Sequence, residues 1–333
     1  MRTKAIFFGL GQMGQLIARL AFKKEWIEIV GAADIASQLV GKDLGDLLGL
    51  GRKTGVTITD DPDTLFSKVK ADIVIHATVS DLPKASDQLE KIIKAGMHVV
   101  STCEELAYPF VGYPELSRRL DELARQHKVS VLGTGINPGY LMDTLPIALT
   151  AVCQVVKKVK VTRMMDSGKR RISYQKKIGT GLTVEEFGRM VDSKSITGHV
   201  GLLQSIFMIA SALGWKLNDI RELPPEPVVA ERELRTTYTT VKPGHVAGLR
   251  SSAYGVINGE RVIELNFESH GGVGEEFDSV EIEGVPNVRE VINRGVNGDI
   301  GTAAILINSI PKVLKAAPGL ITMLDIPIPH ATP

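Results

Sequence analysis

The chain has 333 residues and a formal net charge of +1 at pH 7, with acidic and basic residues interspersed. This balance favours neither nucleic acid nor a membrane surface as a partner, and no apolar run is long enough to span a bilayer. The two cysteines, Cys103 and Cys153, indicate neither a disulfide framework nor a cysteine-based metal site, so we expect a cytoplasmic protein without a bound metal.

The first predicted elements are a strand, a glycine-rich turn and a helix. Gly9–Gly14 has the spacing GxGxxG; the apolar run Ala5–Phe8 precedes it, and Gln15–Phe22 follows with apolar residues at helical spacing. This context is typical of a dinucleotide-binding turn, in which the exposed N–H groups at the helix start attract phosphate. The next strand, Ile27–Ala33, ends at Asp34, where an acid can bind the hydroxyls of the adenosine ribose.

Asp34 also predicts which dinucleotide is preferred. A carboxylate accepts hydrogen bonds from a ribose 2′-OH and repels a 2′-phosphate. Residues 35–38 contain no arginine that would reverse this preference, although Lys42 is close enough in sequence to reach a phosphate. We expect NAD(H) to be preferred and NADP(H) to be tolerated.

Strands and helices continue to alternate as far as about residue 135. Gly96 is a stop signal for the helix before it. The alternation predicts an α/β fold with a Rossmann-type, doubly wound parallel sheet. Further strands are expected at 56–59, 71–78, 97–101 and 129–133, and helices at 83–94 and 113–126.

The character of the sequence changes from Val155 onward. Residues 155–165 alternate like an exposed strand, and several long alternating runs follow residue 230. They predict a second, α+β domain on a mostly antiparallel sheet. The expected helices are 184–191, 201–213 and 301–315, the last interrupted near Pro311, and the expected strands are 231–241, 246–257, 261–269 and 279–282.

This pattern predicts three segments. Residues 1–140 form the NAD(P)-binding Rossmann domain, residues 141–300 form the substrate-binding and dimerisation domain, and the helix and tail of 301–333 return to the first domain. The strands after residue 230 should leave an apolar sheet face that needs a cover, which indicates a homodimer through the second domain.

Three later strand ends are expected to surround the nicotinamide, because ligands of open α/β sheets lie beyond the carboxyl ends of the strands. These ends are residues 76–78, 101–104 and 133–139. Asn137 can donate and accept at once, which suits a carboxamide, or it can cap a helix beginning near Tyr140 with Pro138 in its first turn. Predicted cofactor-binding residues are Gly9, Gly11, Gln12, Met13, Gly14, Asp34, His76, Thr78 and Asn137.

The motifs together resemble the 2,4-diaminopentanoate dehydrogenases and related amine dehydrogenases, a group with a dihydrodipicolinate-reductase-like architecture. The resemblance implies oxidation of a CH–NH2 group with NAD(P), an essential glutamate at Glu104 and a homodimer. Neither the His-His pair of dihydrodipicolinate reductases nor the Glu-Lys-Pro of sugar oxidoreductases occurs here; Cys103-Glu104-Glu105 stands instead. The segments that carry the resemblance are 9–14, 101–105, 133–139, 166–179, 198–202 and 298–320.

A carboxylate at Glu104 suits an amine substrate. It can take the ammonium proton, stabilise an iminium cation and act as general base for the attacking water. The alternative is that Glu104 caps the next helix. We expect Glu105 to be solvated and its loss to be mild.

The substrate end offers several candidates, each with a structural alternative. The basic cluster of residues 169–177 can hold a carboxylate or form a solvated loop, and His199 can contact the substrate or pack at the domain junction. Tyr140 is expected to wall the pocket, and Asp299 and Thr302 face the nicotinamide if the last helix returns to the first domain. Candidate pocket residues are Tyr140, Arg170, His199 and Thr302.

The sequence thus predicts an NAD(P)-dependent enzyme for reversible oxidative deamination of an amine resembling 2,4-diaminopentanoate, giving a ketone and ammonia. One alternative is an amine dehydrogenase for simple ketones and amines that lack a carboxylate. A second is a reductase of a C=N or C=C bond in a heterocycle, similar to dihydrodipicolinate reductase. A third is an NAD-binding sensor without catalysis.

Overall fold

The computed structural model describes residues 2–332, and the chain divides into two compact units. The first unit comprises Met1–Tyr140 and Asn297–Pro333, and the second comprises Leu141–Val296. The C-terminal segment therefore belongs to the same unit as the N-terminal 140 residues. Among residues 2–332, no helix combines the length and the apolar character that crossing a membrane requires.

A seven-stranded sheet forms the centre of the first unit. Its strands are β1 (Thr3–Phe8), β2 (Ile27–Ala33), β3 (Ile58–Thr59), β4 (Ile73–His76), β5 (His98–Ser101), β6 (Ser130–Gly133) and β16 (Gly319–Ile321). Every neighbouring pair is parallel, and the order is β16-β6-β5-β4-β1-β2-β3. The order reverses between β1 and β4, as in Rossmann folds, so the predicted doubly wound sheet is confirmed.

The helices of the first unit begin and end where local signals place them. The helix after β4 is an example: Asp81 precedes its first residue and accepts the Lys84 N–H at 2.9 Å, Pro83 lies in its first turn, and Gly96 follows its end at φ +75°. Its apolar residues, such as Leu89 and Ile93, are fully buried in the core. The helices are α1 (Gln12–Ala21), α2 (Leu44–Leu48), α3 (Pro62–Lys68), α4 (Leu82–Lys94), α5 (Pro114–Gln126) and α10 (Gly298–Val313).

The C-terminal helix α10 packs against α1 and β5 within the first unit. It begins three residues earlier than the apolar pattern indicates, because the Asn297 side chain accepts the N–H groups of Asp299 and Ile300 and so caps the helix. Pro311 lies near its end and does not interrupt it before Val313.

The second unit is built on another seven-stranded sheet, and its mostly antiparallel character is confirmed. Its strands are β7 (Val155–Asp166), β8 (Asp219–Glu222), β9 (Glu226–Val229), β12 (Val246–Ile257), β13 (Glu260–His270), β14 (Phe277–Val285) and β15 (Val288–Asn293). The order is β15-β14-β7-β13-β12-β8, and β9 also pairs with β12. Strands β7 and β13 are parallel, whereas the other pairs are antiparallel.

The remaining elements of the second unit are short strands and four helices. They are the hairpin β10 (Leu234–Arg235) and β11 (Thr240–Val241), and the helices α6 (Thr144–Leu149), α7 (Ile172–Lys177), α8 (Val184–Asp192) and α9 (Leu202–Ala212). Helix α9 packs on β12 and β13 and covers the face to which Val161 and Leu265 contribute. The other face carries mixed side chains such as Lys160, Thr162 and Met164, so it is not the apolar face that the alternation predicts.

Several predicted elements are wrong in detail. No helix begins near Tyr140: residues 136–143 form turns and α6 begins at Thr144, capped by Asp143. Residues 231–241 form only the short hairpin instead of a long strand, and β7 is a central strand with partners on both sides. Short elements such as α2, α7 and β8 were missed, because a few residues give too little periodicity to detect.

Candidate active site

The strand ends of the first unit form one continuous row across the sheet. In the pairing register, Ala33 is aligned with Phe8, Phe8 with His76, His76 with Ser101, and Ser101 with Gly133. The residues that follow these positions therefore emerge side by side at the carboxyl edge of the sheet. This edge brings together most of the residues that the sequence predicts for cofactor and acid/base roles.

The glycine turn between β1 and α1 is packed as closely as its sequence predicts. Gly9 has φ +97°, and a Cβ there would lie 2.4 Å from the Ala77 carbonyl oxygen. A Cβ on Gly14 would lie 2.1 Å from the carbonyl oxygen of Gly9. Gly11 differs, because it is exposed, has open space around its Cβ position and precedes the first residue of α1. Gly11 and Gln12 are thus exposed at the helix N-terminus, the kind of position where phosphates bind.

Asp34 lies beside this turn. Its Oδ2 accepts the N–H of Leu10 at 2.5 Å, and its Oδ1 accepts the N–H of Ala36 at 2.8 Å. The carboxylate is partly exposed, and each oxygen keeps a second lone pair for a ligand hydroxyl. Lys42 is exposed and forms no ion pair within residues 2–332.

The end of β4 carries a buried polar group. His76 is fully buried, with Nδ1 2.7 Å from the Ser101 hydroxyl and Nε2 2.8 Å from Gln88 Oε1. Burial lowers the pKa of His76 to about 4, against the opposing effect of Gln88, so the ring is neutral at physiological pH. Both ring nitrogens of His76 thus have hydrogen-bond partners within the protein, and the predicted contact of His76 with the cofactor stays a prediction. Thr78, which is half-buried, lies 2.9 Å from His76 Nε2.

Glu104 begins a short 3-10 helix, Glu104–Ala107, directly after β5. It is half-buried, and within residues 2–332 its carboxylate has no hydrogen-bond or ion-pair partner, so it does not cap a helix. Burial raises the pKa of the neighbouring Cys103 thiol to about 12, which keeps it protonated at neutral pH. Of these two neighbours, the Glu104 carboxylate is therefore the candidate acid/base group.

Glu105 has a different environment from the solvated one that we predict. Its Oε2 accepts the N–H of Leu82 at 2.7 Å, at the start of α4. It also bonds to the Tyr113 hydroxyl, and burial together with this contact raises the pKa of Tyr113. Glu105 thus fixes the start of α4 to the turn after β5. The sequence alone could not predict this contact, because Leu82 and Glu105 are 23 residues apart in the chain.

The segment after β6 is compact and polar. Asn137 is buried, and its Oδ1 has no hydrogen-bond partner among the described residues; the same holds for the Thr134 hydroxyl. Gly139 has φ +128° and approaches Gly135 so closely that a Cβ on Gly139 would lie 2.5 Å from the Gly135 nitrogen. The Thr302 hydroxyl on α10 accepts the Ile136 N–H at 3.3 Å and supports this segment. Tyr140 follows Gly139, is half-buried, and is the last residue of the N-terminal part of the first unit.

These residues fit a nicotinamide dinucleotide. The open space at Gly11, before the start of α1, suits the pyrophosphate, and Asp34 suits the ribose hydroxyls. The orphaned Asn137 Oδ1 is an acceptor that matches the N–H2 group of a carboxamide. Each of these groups lies at the carboxyl edge of the sheet, and the order of the strands along it runs from the adenosine end to the nicotinamide end.

The candidate substrate residues of the second unit have separate environments. The Arg170 guanidinium lies 5.0 Å from the centroid of the Tyr174 ring, and the Lys176 ammonium lies 5.3 Å from that of the Tyr238 ring. Lys169, Lys176 and Lys177 are exposed, whereas Arg170 and Arg171 are half-buried. The basic cluster is therefore not a single solvated loop.

His199 is a packed side chain in the second unit. Its ring stacks on Phe267 with centroids 4.2 Å apart and planes 11° apart, and the backbone N–H of His199 donates to Ser251 Oγ at 3.1 Å. Burial lowers the pKa of His199 to about 3, and the cations Lys177 and Arg163 act in the same direction. The imidazole is therefore neutral at physiological pH.

Two family models match the chain and together cover nearly all of it. Residues 3–103 match the N-terminal domain of dihydrodipicolinate reductase, and residues 140–333 match the 2,4-diaminopentanoate dehydrogenase C-terminal domain. The 2,4-diaminopentanoate dehydrogenase of Acetoanaerobium sticklandii is 38% identical over 99% of this chain and 95% of its own length. The chain belongs to the 2,4-diaminopentanoate dehydrogenase family. The resemblance inferred from the motifs is thus confirmed.

Amine dehydrogenases are related to this family member over the same extent. That of Streptomyces virginiae is 26% identical over 97% of this chain and 96% of its own. The solved structure of the amine dehydrogenase from Mycobacterium smegmatis has a TM-score of 0.88 and 27% identity, and the match covers 100% of this chain and 98% of that one. A dehydrogenase with this Rossmann fold uses a nicotinamide cofactor.

The two glycines of the turn are expected to respond in opposite ways. Gly14→Ala places a Cβ against the Gly9 carbonyl and should lower the free energy of unfolding by about 1–3 kcal/mol, the cost of overpacking. Gly11→Val meets open space, so the fold should stay intact, while NADH binding should weaken by roughly tenfold or more, about 1.4 kcal/mol. Thermal melts and NADH titrations measure the two effects. A Gly11→Val protein that binds NADH as wild type does would contradict the placement of the pyrophosphate.

Proposed function

We propose that this family member catalyses reversible, NAD(P)-dependent oxidative deamination of an amine resembling 2,4-diaminopentanoate, giving a ketone and ammonia. The observation that carries the proposal is the unpartnered carboxylate of Glu104 at the carboxyl edge of the parallel sheet. It follows β5, between the ends of β4 and β6, where the nicotinamide of a Rossmann dehydrogenase lies. We keep the prediction that the enzyme is cytoplasmic.

In this reaction, Glu104 transfers protons at several steps. An amine must be neutral before its carbon can lose a hydride, so Glu104 first takes the ammonium proton and passes it to solvent, the net proton released. A bound nicotinamide supplies the hydride acceptor. The ionised carboxylate then faces the iminium carbon, takes a proton from the attacking water and returns it to nitrogen. As the C–N bond breaks, the carboxylate takes the hydroxyl proton of the intermediate, so that the carbonyl forms, and this proton passes to the departing ammonia. Half-burial of Glu104 allows both contact with a substrate and exchange with water.

The family match favours a substrate that carries a carboxylate, because the relative with 38% identity is named for 2,4-diaminopentanoate. A simple amine is the second candidate, since the chain also matches two proteins named amine dehydrogenases over nearly its full length. Ammonia-dependent oxidation of NADH with 2-amino-4-oxopentanoate, compared with a plain ketone of similar length, separates the two. NADH oxidation that does not depend on ammonia would favour a C=N or C=C reductase. A protein that oxidises NADH with none of the acceptors tested would favour an NAD-binding sensor.

The central prediction concerns Glu104. Glu104→Gln keeps the shape of the side chain but cannot accept a proton, so kcat for deamination should fall by roughly a hundredfold or more. The Kd for NADH should stay within about twofold, because the glycine turn and Asp34 are unchanged. Steady-state rates and NADH titrations provide the two measurements.

Two further variants control this experiment. Glu115→Gln, on the exposed first turn of α5, should keep wild-type values of both kcat and Kd. Glu105→Ala removes the acceptor for the Leu82 N–H and should lower the melting temperature, which Glu104→Gln should not. If Glu104→Gln turns over at nearly the wild-type rate, the carboxylate mechanism is wrong.

We further propose that NAD(H) is preferred over NADP(H). The support is the position of Asp34, which bonds to the backbone of the glycine turn and would meet a 2′-phosphate with a negative charge. No cation is paired with this carboxylate within residues 2–332.

Exchange of this charge is expected to reverse the preference. Asp34→Ser combined with Ile35→Arg should raise the ratio of kcat/KM for NADPH to that for NADH by at least about tenfold, or about 1.4 kcal/mol. Ile35 is 86% exposed, so the arginine can reach a phosphate without disturbing the core. Asp34→Asn is the matched control, because it removes the charge and its amide oxygen can still accept the Leu10 N–H, while the acceptor for the Ala36 N–H is lost. A wild-type enzyme that prefers NADPH would refute this proposal.

We also propose a homodimer through the open face of the second unit's sheet. This face extends over β12, β13, β7 and β14, and its centre carries Thr162, Met164 and Asn266. Ion pairs flank the centre, including Lys158–Glu264 at 2.5 Å and Arg250–Glu268 at 2.8 Å. A broad, half-exposed face that has Met164 and small polar side chains at its centre and ion pairs around them can serve as a self-complementary interface.

A charge at the centre of this face should separate the subunits. Light scattering is expected to give twice the chain mass for wild type and one chain mass for Met164→Arg at micromolar concentration, because an unpaired cation at the centre of an interface is costly to bury. Asp192→Arg, at the exposed end of α8 in the same unit, should remain dimeric. A monomeric wild type would count against the interface.

A further inference from the structure

The buried histidine at the end of β4 is the centre of a hydrogen-bond network in the first unit. Nδ1 of His76 lies 2.7 Å from Ser101 Oγ, and that hydroxyl also accepts the Cys103 N–H at 3.1 Å. On the other side of the ring, Nε2 lies 2.8 Å from Gln88 Oε1 and 2.9 Å from Thr78 Oγ1. The Thr78 hydroxyl donates to the same Gln88 oxygen at 2.7 Å.

These partners determine where the protons lie. With the Gln88 carbonyl toward the ring, as in the structure, Oε1 can only accept, so Nε2 must carry the hydrogen. Nδ1 is then an acceptor and receives the Ser101 hydroxyl hydrogen. The Thr78 hydroxyl gives its hydrogen to Gln88 and receives a share of the Nε2 hydrogen. Nε2 is thus a donor shared by two acceptors, Nδ1 is an acceptor, and each of the two hydroxyls both donates and accepts.

The network has two arms that end in different parts of the site. The first arm runs through Ser101 to the Cys103 N–H, which is adjacent to Glu104. The second arm runs to Thr78, whose methyl group would lie 2.9 Å from a Cβ on Gly9 and so packs against the glycine turn. A neutral ring between them can hold both arms without a buried charge.

We propose that His76 is a positioning residue that fixes the cofactor-binding turn through Thr78 and the Glu104 turn through Ser101, independently of each other. The inference rests on the proposed function for the role of Glu104, but its two arms can be measured without that function. If His76 has this role, loss of the Thr78 arm should weaken cofactor binding, and loss of the Ser101 arm should disturb the turn that carries Glu104.

Two conservative substitutions each retain one arm. Asparagine places an amide oxygen near the position of Nδ1, so His76→Asn keeps an acceptor for Ser101 and loses the contact to Gln88 and Thr78. Glutamine places an amide nitrogen near the position of Nε2, so His76→Gln keeps a donor for Gln88 and Thr78 and loses the acceptor for Ser101.

The expected results are opposite for the two variants. His76→Asn should raise the Kd for NADH by roughly tenfold, the effect of leaving buried polar groups unpaired, with kcat at saturating cofactor and amide hydrogen exchange at Cys103 close to wild type. His76→Gln should keep the Kd for NADH, lower kcat by roughly tenfold and speed exchange of the Cys103 amide. A residue with only a structural role would change Kd, kcat and exchange together in both variants.

Additional variants keep the outcome interpretable. Thr78→Val and Ser101→Ala remove the arms one at a time and should reproduce His76→Asn and His76→Gln, respectively, if either histidine variant fails to fold. His98→Asn is the matched control: His98 accepts the Ser130 N–H at 3.0 Å at the opposite end of β5, and its replacement should leave Kd, kcat and Cys103 exchange unchanged.

Failure of this inference differs from failure of the proposed function. If wild type shows no ammonia-dependent turnover, the proposed function is wrong, and the split between the Kd for NADH and Cys103 exchange still decides the role of His76. If wild type is active but both variants change Kd and Cys103 exchange equally, the two-arm role of His76 is overturned.

Discussion

The arrangement of the candidate site depends on backbone pairing that continues one residue beyond the parallel strands. The Gly9 N–H donates to the Ala33 carbonyl, the Ala77 N–H to the Phe8 carbonyl, and the Thr102 N–H to the His76 carbonyl, so that each bond joins a loop to the neighbouring strand. The ladder continues with the Thr134 N–H and the Ser101 carbonyl. These bonds fix the start of every loop at the edge, so the side chains that follow have little freedom in where they emerge. A shift of one strand by one residue would turn each of them to the other face of the sheet.

Around this edge, the first unit uses neutral polar groups where charge would be costly. The His76 network is buried and uncharged, the Cys103 thiol stays protonated, and the Thr302 hydroxyl supports the Asn137 segment. The Asp34 and Glu104 carboxyl groups, in contrast, belong to partly exposed residues that solvent or a ligand can reach. The contrast follows from the cost of burying an unpaired charge, which is far larger than that of a satisfied dipole.

The second unit follows a different principle, because its sheet has one covered face. Arg163 on that face is only 2% exposed, and it lies 3.5 Å from Asp278 and donates to the Val296 carbonyl. The two charges are thus paired where they are buried, although burial lowers the pKa of Arg163 and raises that of Asp278. The pair joins β7 to β14, because Arg163 and Asp278 are aligned in the pairing register of these two strands.

Sequence patterns were sufficient for the features that depend on neighbours in the chain. The glycine turn, Asp34 at the end of β2, the alternation of strands and helices and the position of Glu104 after β5 all follow from local spacing, because strand ends and glycine conformations are local properties. Only the tertiary structure decided what those residues contact. Glu105 anchors α4 through the Leu82 N–H, and His76 bonds to Gln88, since both contacts depend on groups that are brought near by the fold. The pairing of β7 with β13 could not be predicted from the sequence either, because parallel neighbours are distant in the chain and leave no periodic signal of their partner. The turns before α6 were likewise not predicted.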